Sequence, residues 1–253
     1  MPGIAVLTAP NPQAWSVINA LVDRFGPVTV LTEERQSRRE LIWKRMKRQG
    51  PLTVLGQIAF VMFQILRESR TIARIDKIIR DADLKVTPNP ACTVIPVGSV
   101  NSMACRTALA MVKPDVVLVI GTRIIGRETR DAITVPLINF HSGINPKYRG
   151  QAGGYWAMAM GDPENFGVTL HLIDEGVDTG GVLYQARIAA TPDDSFPTYF
   201  YLQAAAARSL AVKAIEDALS GQLRTVPSSG PSAQYYHPTL WFYLWTAFTK
   251  GVW

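Results

Sequence analysis

The stretch DVVLVIGTRIIGRETRDAITVPLINFH, residues 115–141, decides the fold. Its first six residues, Asp115 to Ile120, form a continuous apolar, β-branched run, the pattern of a strand covered on both faces in a parallel sheet. A short helix from about Gly126 to Ala132 follows, and Val135 to Phe140 is a second buried strand. Toward the N-terminus, Gly3 to Ala9 is a strand; Trp15, Ile18, Leu21 and Val22 recur at helical spacing before Gly26, and Pro27 to Thr32 is another strand. That βαβ unit makes its two strands parallel neighbours. Pro88 to Pro96 reads as loop with a short strand, and Ser102 to Met111 as a helix ending before Lys113-Pro114.

Toward the C-terminus come a Gly-rich loop (Ser142 to Gly154), a helix (about Tyr155 to Gly161), a strand (Gly167 to Ile173), an acidic turn (Asp174 to Gly181) and a strand (Val182 to Ile188). An Ala-rich helix from about Pro197 to Leu219 packs back. The alternation predicts an α/β fold with an open, Rossmann-like, mostly parallel sheet.

Two segments stand outside this pattern. From Glu33 to about Ala82 the periodicity is helical throughout, broken only at Gly50-Pro51, with seven basic residues first (Arg35, Arg38, Arg39, Lys44, Arg45, Lys47, Arg48) and the apolar stretch Leu52 to Leu66 second. This is a helical insertion at about 33–82. The tail from Ser228 ends in WFYLWTAFTKGVW. The expected organisation is a catalytic domain over 1–227 and an aromatic C-terminal extension over 228–253.

With 47% hydrophobic and 18% charged residues, the 253-residue chain is globular rather than disordered. Its net charge of +6 suits an anionic ligand or surface, and most of it lies in the basic stretch. Two cysteines, Cys92 and Cys105, lack CxxC spacing. They point to a reduced, cytoplasmic compartment. No metal-ligand spacing occurs, the N-terminus lacks the pattern of a secretory signal, and no run reaches the length of a spanning helix.

Asn139 and His141 flank Phe140 at a strand end, so period-2 alternation turns both polar side chains to one side and Phe140 to the other. Open parallel sheets gather their sites beyond the carboxyl ends of strands. Some forty residues on, IDEGVDTGG places Asp174, Glu175 and Asp178 in a turn from which a carboxylate reaches His141. A histidine beside a carboxylate handles protons near neutral pH. An asparagine amide beside them offers a donor to a developing oxyanion.

Here a resemblance enters. PLINFHSGINPKYRGQAGGYWAMAMGDPENFGVTLHLIDEGVDTGGVLYQARI resembles the 10-formyltetrahydrofolate-dependent formyltransferase family in its Asn-x-His, its Lys/Arg-x-Arg-Gly-type loop, its Gly-Val-Thr and its Asp-Thr-Gly-Gly turn. The likeness runs from about Lys113 to Ile188. It implies transfer of a formyl group from 10-formyltetrahydrofolate to an amine. In that scheme Asn139 holds the oxygen of the tetrahedral intermediate, His141 polarises the formyl group, and Asp178 holds His141 charged and shuttles the amine proton. It also implies a pterin pocket between Arg123, Ile124 and Ile125 on one side and Asp174, Glu175, Gly176 and Val177 on the other. Lys147, Tyr148 and Arg149 are candidate contacts to an anionic acceptor or to the folate tail.

The first loop, Ala9-Pro10-Asn11-Pro12, lacks the glycines with which the family's glycinamide ribonucleotide enzyme cradles phosphate. Few residues follow position 220, which argues against the β-barrel of the initiator-tRNA enzyme and against nucleic acid as partner. The layout is similar to that of sugar N-formyltransferases, and the expected acceptor is a small-molecule amine such as an amino sugar on a nucleotide or lipid carrier. The basic stretch and the aromatic tail (Trp241, Phe242, Tyr243, Trp245, Phe248, Trp253) are candidates for peripheral membrane contact or a homodimer interface. His171, inside a strand, is expected to be structural or half exposed, and His237 to lie on the surface. A hydrolase giving the formyl group to water, and an inert folate-binding or membrane-associated protein, are the competing readings.

Overall fold

The computed structural model describes residues 2–34 and 36–253; Arg35 of the basic stretch lies outside the described residues. In chain order the elements are β1 (Ile4–Thr8), α1 (Pro12–Phe25), β2 (Thr29–Glu33), α2 (Arg38–Gln49), α3 (Pro51–Asp81), β3 (Thr93–Gly98), α4 (Met103–Val112), β4 (Val116–Ile120), α5 (Arg127–Ala132), β5 (Leu137–His141), β6 (Arg149–Gly150), α6 (Gly153–Ala159), β7 (Gly167–Leu172), β8 (Val182–Arg187), α7 (Phe196–Leu219), β9 (Gln234–Tyr235) and α8 (Leu240–Lys250).

Seven strands form one sheet in the order β3-β2-β1-β4-β5-β7-β8. The first five are mutually parallel, and β7 and β8 are antiparallel to their neighbours. The mixed sheet is therefore parallel where the continuous apolar runs predicted it. β1 and β4, every residue of which is buried, lie at its centre. One face is covered by α1 and α7 over Val6, Val30, Leu118 and Leu170. The other packs Leu7, Leu31 and Val117 against Val100, Cys105 and Leu109 at α4. The Pro-Asn-Pro break works as a helix start: the Asn11 side chain accepts the Ala14 N–H, and Pro12 occupies the first turn, where its missing donor costs nothing.

The insertion is two helices divided at Gly50-Pro51. At about 1.5 Å per residue, α3 is roughly 46 Å long and crosses the end of the body instead of adding to the sheet. Its far end is fixed by Arg74, whose guanidinium makes two bonds, of 2.8 and 3.0 Å, to the carboxylate of Asp194, a fully buried side chain just before α7. Arg74→Met is expected to lower stability by about 3 kcal/mol, because it leaves a buried carboxylate without its counter-charge; equilibrium urea unfolding measures it.

The aromatic tail joins a third core, in which Phe60, Tyr148, Tyr155, Phe196 and Tyr243 meet. Within the tail, Tyr243 and Val252 are buried, whereas Trp241, Trp245 and Phe248 stay exposed. The tail also pairs with the body as a strand, β9 beside β6. His237 corrects the surface expectation: its ring stacks near Phe60 and Phe196, and its Nδ1 is enclosed without a hydrogen-bond partner. Burial, with a smaller push from the Arg45 charge, lowers its pKa from 6.5 to about 4. Because the folded value lies below the unfolded one, the unfolded chain binds the extra proton first, so stability is full above pH 6.5 and falls as pH drops toward 4. The loss is on the order of 3 kcal/mol, and His237→Phe is expected to flatten it in unfolding curves taken across that range. Among the described residues no helix is long and apolar enough to cross a membrane.

Candidate active site

β5 delivers Asn139 and His141 to the same side, as its alternation predicts, while Phe140 packs into the core under α1 and α7. The turn between β7 and β8 folds back to bring Asp178 to both. Asn139 Nδ2 donates to Asp178 Oδ1 over 3.2 Å. His141 Nδ1 lies 3.5 Å from Asp178 Oδ2. Asp178 sits at φ +51°, a left-handed conformation that aspartate tolerates better than most side chains; there its carboxylate also accepts the Gly150 N–H at 2.9 Å.

Sequence reasoning undervalued His171. It is buried on β7 directly opposite Asn139, with Nε2 at 3.0 Å from Asn139 Nδ2 and 3.4 Å from Asp178 Oδ1, while Nδ1 donates to the Leu172 carbonyl at 2.7 Å. The group is therefore two histidines and an asparagine around one carboxylate. Its only signal in the sequence is a histidine set between Leu170 and Leu172 within a strand.

His141 Nε2 donates to the Tyr148 carbonyl at 2.7 Å, which leaves Nδ1 as the nitrogen that exchanges protons. Gly143 permits that bond: a Cβ there would stand 2.6 Å from His141 Nε2. Burial lowers the pKa of His141, against the opposing pull of Asp178 and the Tyr148 carbonyl. The ring is then neutral at rest near pH 7, which corrects the expectation that Asp178 keeps it charged. Asp178 is pulled the other way: burial would raise its pKa, but His141, His171 and the Gly150 N–H outweigh it and bring it to about 2.

Asn139 also departs from expectation. Both hydrogens of its amide are engaged, by Asp178 and His171, so its resting role is to hold the carboxylate. Offering an N–H to an oxyanion requires the amide to rotate about its bond to Cβ.

These residues line a cavity of about 550 Å³. Val119, Ile125 and Ile173 give it apolar walls, Gly121 to Ile125 form one side, and Asp174, Gly176, Val177 and Asp178 form another. Leu41 and Arg48 of α2 and Gln234 to Tyr236 of the tail complete it, none of which sequence reasoning placed there. The expected pterin segments thus face one space, with three corrections. The Arg123 N–H and guanidinium are both held by Glu33, each at 2.7 Å, so that residue shapes the wall and its N–H is already spent. The Ile124 carbonyl is taken by Asn101. Glu175 is exposed, pairs with Arg130 and does not line the cavity.

The acceptor candidates part company with the site. Lys147 and the Tyr148 hydroxyl both turn to Asp162, on the far side of the loop. Arg149 donates to the Val177 carbonyl at 2.7 Å and to Ser232 Oγ at 2.9 Å, clamping the acidic turn to the tail. All three position the loop, and none of them lines the cavity.

Residues 92–215 match a family model described as "Formyl transferase", a span that holds Asn139, His141, His171 and Asp178. That segment, just under half of the chain, resembles the formyltransferase family. Over 130 residues the chain is 35% identical to the methionyl-tRNA formyltransferase of Koribacter versatilis, covering 51% of its own length and 41% of the relative's. Over 99 residues it is 39% identical to that of Burkholderia pseudomallei, covering 39% and 30%. It spans less than half the length of these curated relatives. Two solved structures share the fold. An N-formyltransferase from Helicobacter canadensis, in complex with folinic acid and dTDP-3-aminofucose, aligns at TM-score 0.57 and 15% identity over 93% of this chain and 71% of that one. Phosphoribosylglycinamide formyltransferase from Anaplasma phagocytophilum aligns at 0.58 and 15% over 92% and 98%.

Proposed function

We propose that this chain transfers the formyl group of 10-formyltetrahydrofolate to the amine of a small-molecule acceptor, an amino sugar on a carrier. The observation that carries the reading is the convergence of Asn139, His141 and Asp178, from two distant segments, on the wall of one cavity of about 550 Å³. The cavity fits the donor. Its apolar walls suit the faces of a flat ring, and the segments Gly121–Ile125 and Asp174–Val177 would hold the ring's edges. When bound, the donor supplies the electrophilic formyl carbon.

The chain's own part is proton handling and charge stabilisation. An uncharged amine attacks, and its nitrogen becomes acidic as the new C–N bond forms. His141 Nδ1, unprotonated at rest, takes that proton. Asp178, 3.5 Å away, stabilises the imidazolium so formed. The same proton returns to the departing folate nitrogen as the old C–N bond breaks. Asn139, once its amide has turned, donates to the oxygen that gathers negative charge. His141 is buried, and Asn139 and Asp178 are partly so, which limits the access of water, the competing nucleophile.

The test is incubation with 10-formyltetrahydrofolate and a panel of amino-sugar nucleotides, other amines and initiator methionyl-tRNA, following tetrahydrofolate by absorbance and the formyl mass increment on the acceptor. Transfer to an amino sugar is the expected result. Formate release without any amine identifies a hydrolase, and folate binding without turnover on any acceptor overturns the enzymatic reading.

A further inference from the structure

A surface helix in a globular protein carries one apolar stripe; the first half of α3 carries two. Val54, Gln57 and Phe60 are buried beneath it. Leu52, Leu55, Ile58, Met62, Ile65 and Leu66 recur three and four residues apart on the outward side, and Leu55, Met62 and Leu66 are 61%, 55% and 79% exposed. Gly56 has no Cβ where Thr239 and the Trp241 ring rest, so α8 sits down on α3, and its Trp245 and Phe248 are likewise exposed. On the other edge, Ile42 and Met46 of α2 close a groove of about 500 Å³ with Leu52 and Leu55. α2 also presents the exposed cations Arg39 and Lys47, and its one acidic residue is Glu40. The Lys47 ammonium caps the ring of the exposed Trp43 at 3.5 Å. None of α2, α3 or α8 belongs to the segment that matches the family model.

We propose that the outward face of α2, α3 and α8 docks on an anionic lipid bilayer, with the cations of α2 among the head groups and the apolar stripe in the interfacial layer. Apolar side chains bordered by lysine, arginine and tryptophan are the composition of a helix lying in that layer. Charge selects the occupant. The cations of α2 that border the apolar stripe complement an anionic head-group layer. The two faces of α2 link this surface to the catalytic cavity: Leu41 and Arg48 line the cavity, and Ile42 and Met46 line the outer groove. Gln234 to Tyr236 likewise wall both the catalytic cavity and a neighbouring space of about 540 Å³ beside Trp241 and Trp245. Docking therefore sets the catalytic cavity at the membrane interface, and the acceptor class becomes an amine carried on a lipid. Only that consequence rests on the formyl-transfer reading.

The experiment is sedimentation of the full chain with vesicles of phosphatidylcholine alone or with about one-third phosphatidylglycerol, without folate or amine. Binding to the anionic vesicles only, weakened by salt, is expected. The double variant Leu55→Asp/Met62→Asp and, separately, Arg39→Glu/Lys47→Glu should each lose about tenfold or more in vesicle affinity. These positions are exposed, and unchanged thermal unfolding confirms that the variants fold. Absence of wild-type binding, equal binding to neutral vesicles, or unimpaired binding by the variants overturns the proposal. So does a wild-type dimer in light scattering that the aspartate variant dissociates while vesicles go unbound, which assigns the face to a second copy. For the acceptor, formylation of an amino sugar on a polyprenyl-phosphate carrier should fall with the aspartate variant, while transfer to the soluble sugar nucleotide stays unchanged. Loss of both transfers with vesicle binding intact would count against the catalytic reading alone.

Discussion

His141→Ala is expected to lower the single-turnover rate of formyl transfer by about 10²- to 10⁴-fold with the fold retained. The reason is geometric. With Nε2 committed to the Tyr148 carbonyl, Nδ1 faces the cavity wall beside Asp178 and has no substitute within reach of the amine proton. His171 cannot take its place, because its Nδ1 is committed to the Leu172 carbonyl and its Nε2 is turned to Asn139. The pH profile carries a second signature. A base whose pKa burial depresses stays competent below pH 6.5, so the acid limb of the wild-type rate should lie below that of free imidazole. A His141→Ala protein with near-normal rates, measured with folding checked by circular dichroism, would refute the assignment.

Asp178→Asn is expected to reduce turnover by about 10³-fold. Asparagine accepts the left-handed backbone at this position, so the change isolates the charge from the conformation. Lost with the charge are the stabilisation of the imidazolium and one of the two oxygens that serve Asn139 and Gly150. A stability effect accompanies the catalytic one. The folded pKa of about 2 lies below the ordinary 3.8. The wild-type carboxylate therefore contributes stability that is present above pH 3.8 and is lost as pH falls through 2. That contribution is on the order of 2 kcal/mol, and urea unfolding of the variant should lose that share of the pH dependence in that window, the rest belonging to Asp194 and Asp162, whose pKa values are also lowered. If turnover falls and that dependence persists, the carboxylate acts on the chemistry without being held by the histidines.

Much of the architecture was legible because its signals are local. The valine runs of β4 and β1 announce strands covered on both faces, and period-2 alternation through Asn139-Phe140-His141 correctly turns the two polar side chains together. Gly50-Pro51 divides the insertion where a helix cannot continue. The candidate site was legible in part for the same reason: Asn139, His141 and Asp178 carry their chemistry in residue type and short spacing.

What failed was non-local. His171 reads as a strand histidine until antiparallel pairing sets it opposite Asn139, a register that no residue near either announces. Lys147 and Tyr148 read as acceptor contacts because they follow the catalytic histidine, yet Asp162 draws both to the other side of the loop. The pKa of His141 depends on how deeply the Gly143 loop buries it, and burial is a property of the packed whole. The aromatic pattern of the tail does not say which surface it will cover.

Sequence by itself determined the α/β class, the strands, the strand end that bears the candidate site and the residue types gathered there, since each depends on interactions within a few residues. Tertiary structure alone decided that His171 joins the carboxylate, that Arg149 serves as a clamp, that α2 and the tail wall the cavity, and that the second apolar stripe of α3 stays uncovered. Each of these depends on contacts between segments far apart in the chain, whose partners only the packed backbone selects.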